Sequence, residues 1–175
     1  LVRAMPNTPA LVGAGMTGCC ATAAVDEAGR ELADKLLQCV GATVWVEREA
    51  QMDAVTAISG SGPAYVFLFI EALQQAALEL GLSAEQGRQL AVATVQGAGA
   101  LAAASTEDVS VLRERVTSKG GTTAAALEVM QAQAVPRPKI GQRCCNACTC
   151  DGPSGAGTRQ RSPTAPKAKK PGSRA

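Results

Sequence analysis

Two short stretches of this 175-residue chain carry residue types that bind small anions. The first, residues 117–123, reads TSKGGTT and leads into an apolar helical pattern. Its two glycines free the backbone, so a carboxylate placed there could accept hydrogen bonds from backbone N–H groups and from the hydroxyls of Ser118, Thr122 or Thr123. A simple helix–helix turn with a threonine cap accounts for the same residues equally well. Both interpretations remain open at this point.

The second stretch, residues 59–65, reads SGSGPAY. Glycine permits positive φ and close approach of a backbone to a ligand, and Pro63 suits the first turn of a helix. The N-terminus of that helix would offer unpaired N–H groups and the positive end of its dipole. We therefore predict a glycine turn that can bind an anion and that precedes a helix over residues 66–80.

The predicted helix over residues 66–80 is apolar except for one narrow stripe, formed by Glu71, Gln75 and Glu79. A helix that is apolar over most of its circumference must be buried over most of its surface. In a chain of this size, such burial predicts a subunit interface.

A glycine pattern at residues 13–18, GAGMTG, matches the dinucleotide-binding fingerprint only in letters. That fingerprint needs a strand before it and a helix that opens on its last glycine. Here two prolines precede it, and the next predicted helix starts only after Asp26. We therefore predict no phosphate loop at this position, nor at the near-match in residues 97–102, which lies within a helical pattern.

Metal and imidazole chemistry are not indicated. The chain has no histidine, which excludes a Ser-His pair and a His-ligated zinc ion. Cys19, Cys20 and Cys39 lie in apolar surroundings, where cysteine is commonly a plain core residue. Cys145 and Cys148 form a single C-x-x-C without a second pair at zinc-site spacing. We predict no metal site.

The order of elements indicates an α+β fragment that is mostly α. A strand over residues 15–23, a helix over 27–40 capped by Asp26, and a strand over 43–46 suggest the end of an α/β domain. Helical patterns follow over residues 49–58, 66–80, 83–104, 107–116 and 124–134. Ser83 and Gln86 form a capping box for the third of these, and Ser105 or Thr106 is the expected cap of the fourth.

Composition divides the chain. Acidic side chains outnumber basic ones over residues 1–136, whereas residues 137–175 are strongly basic and lack apolar periodicity. We predict three regions: an α/β remnant at 1–47, a helical domain at 48–134 and a disordered basic tail at 135–175. The tail has no aromatic residues, which favours a solvated tail over a nucleic-acid partner. The sequence contains no run of 18 or more uncharged apolar residues, so we predict no membrane-spanning helix. No secretory signal is visible, and the initial leucine suggests a piece of a longer protein.

Three motifs together resemble the signatures of the pyrroline-5-carboxylate reductases, the bacterial branch in particular. They are residues 3–9 (RAMPNTP), 53–65 (DAVTAISGSGPAY) and 116–123 (VTSKGGTT). The resemblance covers residues 1–130. It implies a cytoplasmic enzyme that transfers a hydride from NADPH or NADH to the C=N carbon of 1-pyrroline-5-carboxylate and forms L-proline.

The resemblance also implies an architecture and a site. A Rossmann domain would be followed by an all-helical dimerisation domain, similar to the C-terminal domain of 6-phosphogluconate dehydrogenase, in homodimers that assemble possibly into decamers. The active site would lie between the nucleotide domain of one subunit and the helical domain of its partner. The implied cofactor-binding residues are Asn7 and Pro9, the implied catalytic residues are Thr56, Ser61 and Thr123, and the implied carboxylate-binding residues are Ser118, Gly120, Gly121, Thr122 and Thr123.

The chain departs from the family pattern in several places. The first half of the Rossmann domain, with its phosphate loop, does not precede residue 1, so we expect the chain alone to be inactive. Lys119 and Val109 stand where proline is usual. Residues 136–175 match nothing in the family, and a frame-shifted coding end would explain such a tail. A non-catalytic dimerisation module is therefore the alternative function. A β-hydroxyacid-type dehydrogenase is disfavoured. Such enzymes rely on a catalytic lysine in the first helix of the helical domain, and no lysine lies between Lys35 and Lys119.

Overall fold

The computed structural model describes residues 1–133, in which a small sheet is followed by helices. The strands are β1 (Val2–Pro6), β2 (Gly15–Ala21) and β3 (Gly41–Val46). The helices are α1 (Glu27–Leu37), α2 (Met52–Val55), α3 (Gly62–Glu79), α4 (Ala84–Ala104), α5 (Val109–Arg115) and α6 (Thr122–Gln133). Short 3₁₀ turns cover Thr8–Val12, Gln38–Val40 and Glu49–Gln51, and one π-helical turn covers Thr56–Gly60. The predicted tail at 135–175 lies outside the described residues.

The sheet has the order β1-β2-β3, with β1 antiparallel and β3 parallel to the central strand β2. Two parallel neighbours joined by a helix are a βαβ unit. The predicted end of an α/β domain is therefore confirmed. Strand β1 was not predicted, because this segment has only five residues and ends in Pro6. A proline is tolerated there, since it stands at the end of an edge strand.

Helix α1 packs along β3 and is fixed at both ends. The Asp26 Oδ1 accepts a hydrogen bond from the Gly29 N–H at 2.9 Å, which confirms the predicted cap. Later in the helix, the Asp34 Oδ1 accepts from the Thr43 hydroxyl at 2.5 Å and from the Trp45 indole N–H at 3.1 Å. The helix ends at Leu37 instead of residue 40. A 3₁₀ turn closes it before Gly41, whose φ of 143° suits glycine alone.

The core of this part lies between the sheet and the helical segment at residues 52–60. Met52, Ala57 and Cys19 are almost fully buried. Gly18 permits the close approach, because a Cβ added to it would lie 2.4 Å from the Val55 Cγ1. Close packing in this region fixes the first helical turns directly against β2.

Helices α3 and α4 form an antiparallel hairpin that turns at Gly81, where φ is 88°. The Ser83 Oγ accepts from the Gln86 N–H at 3.2 Å, and the Gln86 Oε1 accepts from the Ser83 N–H at 2.9 Å. The predicted capping box is therefore confirmed. Small residues let the two helices meet, since a Cβ on Gly87 would lie 3.0 Å from the Ala77 Cβ.

The starts of the last two helices also differ from the predictions. The helix predicted over residues 107–116 begins at Val109, and its cap is Asp108, whose Oδ1 accepts from the Ser110 N–H at 2.8 Å. Ser105 or Thr106 was therefore the wrong cap. The two hydrogen bonds from Ser110 also lower the pKa of Asp108. The last helix begins at Thr122, two residues before the predicted position.

Helix α3 is largely exposed within the single chain. Of its residues only Ala77 is buried, while Phe67, Leu68 and Phe69 are exposed by 57%, 66% and 45%. The predicted burial is therefore not achieved by residues 1–133. Among the described residues, the continuous helical segment Glu49–Glu79 is long and apolar enough to cross a membrane, with a mean hydropathy of 1.3. A dimerisation helix has the same composition, so the expectation of no membrane partner stays a prediction.

Candidate functional site

The stretch at residues 59–65 continues the helix and forms no turn. The Ser61 N–H donates to the Thr56 carbonyl at 2.8 Å, which is the i to i+5 bond of a π-helical turn. Neither Gly60 nor Gly62 has a positive φ. The predicted glycine turn is therefore wrong, because small residues here serve close packing within a helical path. The bond also occupies an N–H that the predicted anion site would have used.

An open cavity of about 360 Å³ lies where the sheet meets the start of α3. Its walls are mostly apolar. The lining residues are Asn7, Pro9, Ile58, Ser59, Gly62, Pro63, Val66 and Phe67. The structure thus brings Asn7 and Pro9, two of the residues predicted to bind the cofactor, into one cavity with the π-helical turn.

Asn7 joins the two walls of this cavity. Its Nδ2 donates to the Ser59 carbonyl at 3.2 Å and to the Ser59 hydroxyl at 3.3 Å. Its Oδ1 accepts from the Met16 N–H at 2.9 Å. Because both ends of the amide have protein partners, Asn7 contributes to the cavity by its position and by holding Ser59.

Thr56 begins the π-helical turn and Ser61 follows it; both were predicted as catalytic, both are half-buried, and neither is among the residues that line the cavity. The Thr56 hydroxyl donates to the Met52 carbonyl at 2.9 Å. The Tyr65 hydroxyl reaches the Ala57 carbonyl at 3.3 Å on the same segment. These bonds fix the helical segment beside the cavity.

The loop at residues 117–123 is a tight turn that opens α6. Gly120 has a φ of 72°, and the Gly121 N–H donates to the Ser118 carbonyl at 3.1 Å. A Cβ on Gly121 would lie 2.4 Å from the Ser118 Oγ, so that hydroxyl lies directly against the glycine backbone. Thr122 and Thr123 begin the helix. The expected arrangement of hydroxyls and glycines at a helix start is therefore present.

This loop and the cavity are separate within one chain. No hydrogen bond or ion pair among residues 1–133 joins Ser118, Thr122 or Thr123 to Asn7, Thr56 or Ser61, and α5 and α6 make few contacts with the other described elements. Among the described residues, the loop and the cavity are therefore two separate groups.

Comparison with known proteins identifies the family. Residues 49–150 match the family model described as pyrroline-5-carboxylate reductase dimerisation, which is more than half of the chain. The pyrroline-5-carboxylate reductase of Haemophilus influenzae is 51% identical over 134 residues, covering 76% of this chain and 49% of the relative. The chain belongs to the pyrroline-5-carboxylate reductase family.

Two solved structures of this reductase family have the same fold. The pyrroline-5-carboxylate reductase of Coxiella burnetii is 43% identical with a TM-score of 0.80, over 83% of this chain and 55% of that one. The pyrroline carboxylate reductase of Plasmodium falciparum, solved with NADP bound, is 33% identical with a TM-score of 0.75, over 83% of this chain and 60% of that one. The present chain spans about half the length of the curated relatives it matches. The family match extends to residue 150, beyond the limit of 130 seen in the motifs, so the expectation that residues 136–175 match nothing in the family is wrong for residues 136–150.

The reductase family's nicotinamide cofactor fits this cavity at one end only. Pro9, Pro63 and Phe67 supply apolar walls suited to a flat ring. Residues 13–18 are not suited to its pyrophosphate, because Gly13 ends a 3₁₀ turn and Gly15 starts β2. The prediction that residues 13–18 are not a phosphate loop is confirmed. Residues 1–133 also contain no group of three or more His, Cys, Asp or Glu side chains that could hold a metal ion.

Sequence reasoning missed Ser59 and the ion pair between Arg3 and Glu49. Ser59 had a readable signal, since it lies four residues before Pro63, which lacks the N–H that would bond its carbonyl. Arg3 donates to the Glu49 carboxylate across the sheet–helix junction, and this bond raises the pKa of Arg3. Both side chains are about half exposed or more, so the pair orients the junction and contributes little to stability.

Proposed function

We propose that this chain is the C-terminal part of a pyrroline-5-carboxylate reductase, which reduces the C=N bond of 1-pyrroline-5-carboxylate to give L-proline. When bound, NADPH or NADH supplies the hydride for that reduction. The chain itself contributes the wall of the nicotinamide end, the loop that holds the substrate and the surface that joins two subunits. We place the complete enzyme in the cytoplasm.

The observation that carries this proposal is the cavity at the junction of sheet and helices, within a chain that belongs to this family. Asn7 and Pro9 form its sheet side and would lie by the nicotinamide, while the segment that bears Thr56 and Ser61 forms its helical side. Reduction of an imine requires orientation of two reactants more than a strong base. Hydroxyl groups and fixed backbone can provide that orientation without histidine.

We assign the substrate carboxylate to the tight turn before α6. Its backbone N–H groups lie at the N-terminus of a helix of twelve residues, where anions are stabilised. The proposed carboxylate ligands are Ser118, Gly120, Gly121, Thr122 and Thr123, and Thr123 also faces the reacting ring. Because this turn does not meet the cavity within one chain, we propose that each site combines the cavity of one subunit with the turn of its partner.

The same arrangement requires a homodimer. Helix α3 exposes Phe67, Leu68 and Phe69, and α5 and α6 expose Val109 and Val129 by 65% and 56%. Burial of such side chains against a second copy stabilises association by roughly 25 cal/mol per Å² of apolar surface. We propose that the helical domain at 48–134 forms this dimer, that residues 1–47 belong to the nucleotide-binding domain, and that dimers assemble into decamers.

The test extends this chain at its N-terminus with the corresponding residues of the Haemophilus influenzae relative. We expect the extended protein to oxidise NADPH only when 1-pyrroline-5-carboxylate is present, and the chain alone to show no turnover. Replacement of Thr123 by valine keeps the side-chain shape and removes the hydroxyl, so it should raise KM for the substrate. Thr106→Val, the same change at an exposed position outside the turn, is the matched control. An extended protein that folds and dimerises without turnover would refute the proposal.

A non-catalytic dimerisation module is the second candidate. It is favoured by one observation, the match of residues 49–150 to a family model described as dimerisation. The same extended protein distinguishes the two functions, because a module that only dimerises would associate but would not oxidise NADPH. Lys119, which stands in the substrate turn, would then be the first residue to restore to proline.

A further inference from the structure

The carbonyl group of Ser59 has lost its usual helical partner. In an α-helix that carbonyl would accept from the backbone N–H of the residue four positions later. This residue is Pro63, which has no N–H. The N–H of the next residue, Ala64, donates to the Ser61 carbonyl at 3.1 Å. A buried or half-buried carbonyl left without a donor is costly, so another donor is needed at this point.

The side chain of Asn7 supplies that donor from the sheet. Its Nδ2 lies 3.2 Å from the Ser59 carbonyl oxygen, across 52 positions of sequence. The other side of the residue is held on β2, because the Oδ1 accepts from the Met16 N–H at 2.9 Å and the Asn7 N–H donates to the Met16 carbonyl at 3.2 Å. The side chain therefore has little freedom, and both acceptors of its Nδ2, the carbonyl and the hydroxyl at 3.3 Å, belong to Ser59.

Close packing beside this bond limits how far the π-helical turn can shift. A Cβ added to Gly60 would lie 3.1 Å from the Met5 Cε of β1. Because β1 and the π-helical turn are already in contact, the position of residues 59–61 is set by the sheet. The 3₁₀ turn between β1 and β2 carries Pro9, which lines the same cavity.

We propose that Asn7 is a positioning residue, which holds the π-helical turn on the sheet through the carbonyl that Pro63 leaves without a partner. By this bond it fixes where Thr56 and Ser61 stand beside the cavity, and it makes no direct hydrogen bond to the cofactor. The bond itself follows from the contacts of this chain, whereas its consequence for catalysis rests on the proposed reductase function.

A double-mutant cycle on the chain of residues 1–175 tests the bond. Pro63→Ala restores an N–H that can donate to the Ser59 carbonyl, so the Asn7 amide becomes less important. We expect Asn7→Ala alone to raise the unfolding equilibrium constant roughly ten-fold, as the loss of a hydrogen bond to a half-buried group does. In the Pro63→Ala background the factor should be about three-fold smaller, while the part due to the Met16 N–H, which loses the Asn7 Oδ1 in both backgrounds, remains. Equal factors in the two backgrounds would overturn the proposal.

A second variant covers the case in which Asn7→Ala does not fold. Asn7→Asp keeps the acceptor for the Met16 N–H but replaces the donor by a carboxylate oxygen. In the same cycle, Pro63→Ala should reduce the loss of stability that Asn7→Asp causes. If the loss is the same with and without Pro63, the Ser59 carbonyl is not the group that Asn7 holds.

The consequence for catalysis is tested in the N-terminally extended enzyme. A positioning role predicts that Asn7→Ala lowers kcat, with KM for NADPH changed less than two-fold, and that Pro63→Ala recovers part of the lost kcat. A raised KM for NADPH without recovery would mean that Asn7 binds the cofactor directly and would overturn the positioning role. Because the stability cycle needs no activity, its result distinguishes failure of this inference from failure of the reductase proposal.

Discussion

Phe69 on α3 gives the sharpest test of the proposed dimer. With Tyr65 and Val66 it lines an open, almost entirely apolar groove of about 370 Å³ against Val95 and Ala98 of α4. Its side chain is 45% exposed within one chain. We expect Phe69→Lys to weaken association strongly, because the lysine charge would have to be buried in the interface where the proposed dimer covers the phenylalanine ring.

The expected magnitude follows from this exposure. A phenylalanine buries about 200 Å² when fully covered, so the exposed 45% leaves about 90 Å², worth about 2 kcal/mol at ~25 cal/mol per Å². A two-fold dimer covers the side chain twice, which makes a total of about 4 kcal/mol. The dissociation constant should therefore rise roughly a thousand-fold.

Sedimentation equilibrium at several protein concentrations measures this change. Gln75→Lys is the matched control, since it adds the same charge to the polar stripe of the same helix, where Gln75 now donates to Glu79 at 3.0 Å. The control should associate as the wild type does. The reasoning is refuted if Phe69→Lys associates as tightly as the wild type, or if the wild type is itself a monomer at micromolar concentrations.

Three further predictions concern stability. Gly18→Leu should lower the free energy of unfolding by about 1–3 kcal/mol, because its Cβ would lie 2.4 Å from the Val55 Cγ1. Val55→Ala should recover part of that loss in urea titrations. No recovery would show that the side chains at positions 18 and 55 are not in contact. Ser83→Ala should cost about 1 kcal/mol by removal of the α4 cap, whereas Ser83→Thr should cost little, and equal losses in thermal unfolding would count against the cap. Burial, with a contribution from the Asp34 charge, raises the pKa of the Cys19 thiol. As pH rises past about 8.5, the thiol therefore ionises first in the unfolded chain, so the free energy of unfolding falls. Cys19→Ala should reduce this fall. An identical pH dependence of unfolding in the variant would contradict the assignment.

Local signals in the sequence were sufficient for the elements that are defined by local interactions. The capping box at Ser83 and Gln86 and the cap at Asp26 depend on residues three positions apart, and both are present as predicted. The parallel pair β2 and β3 followed from a strand, a helix and a strand in succession. The motifs at residues 3–9, 53–65 and 116–123 indicated the family that the comparisons then identified.

Errors arose where the outcome depends on distant contacts. The segment at residues 59–65 was predicted as a turn because its glycines permit positive φ, but packing of Gly60 against Met5 selects a helical path. Strand β1 exists because β2 pairs with it, which no pattern within five residues reveals. Helix α3 was expected to be buried, and its exposure in one chain shows that its remaining cover must come from outside residues 1–133.

The fate of a single deuterium atom tests the central claim most directly. The N-terminally extended enzyme would be given NADPH deuterated at the transferred position together with 1-pyrroline-5-carboxylate, and the product would be examined by mass spectrometry. We predict L-proline that carries one deuterium on the carbon of the former C=N bond, and none from the same protein when the cofactor is omitted. Absence of proline, or proline without deuterium, from an enzyme shown to be folded and dimeric would contradict the account.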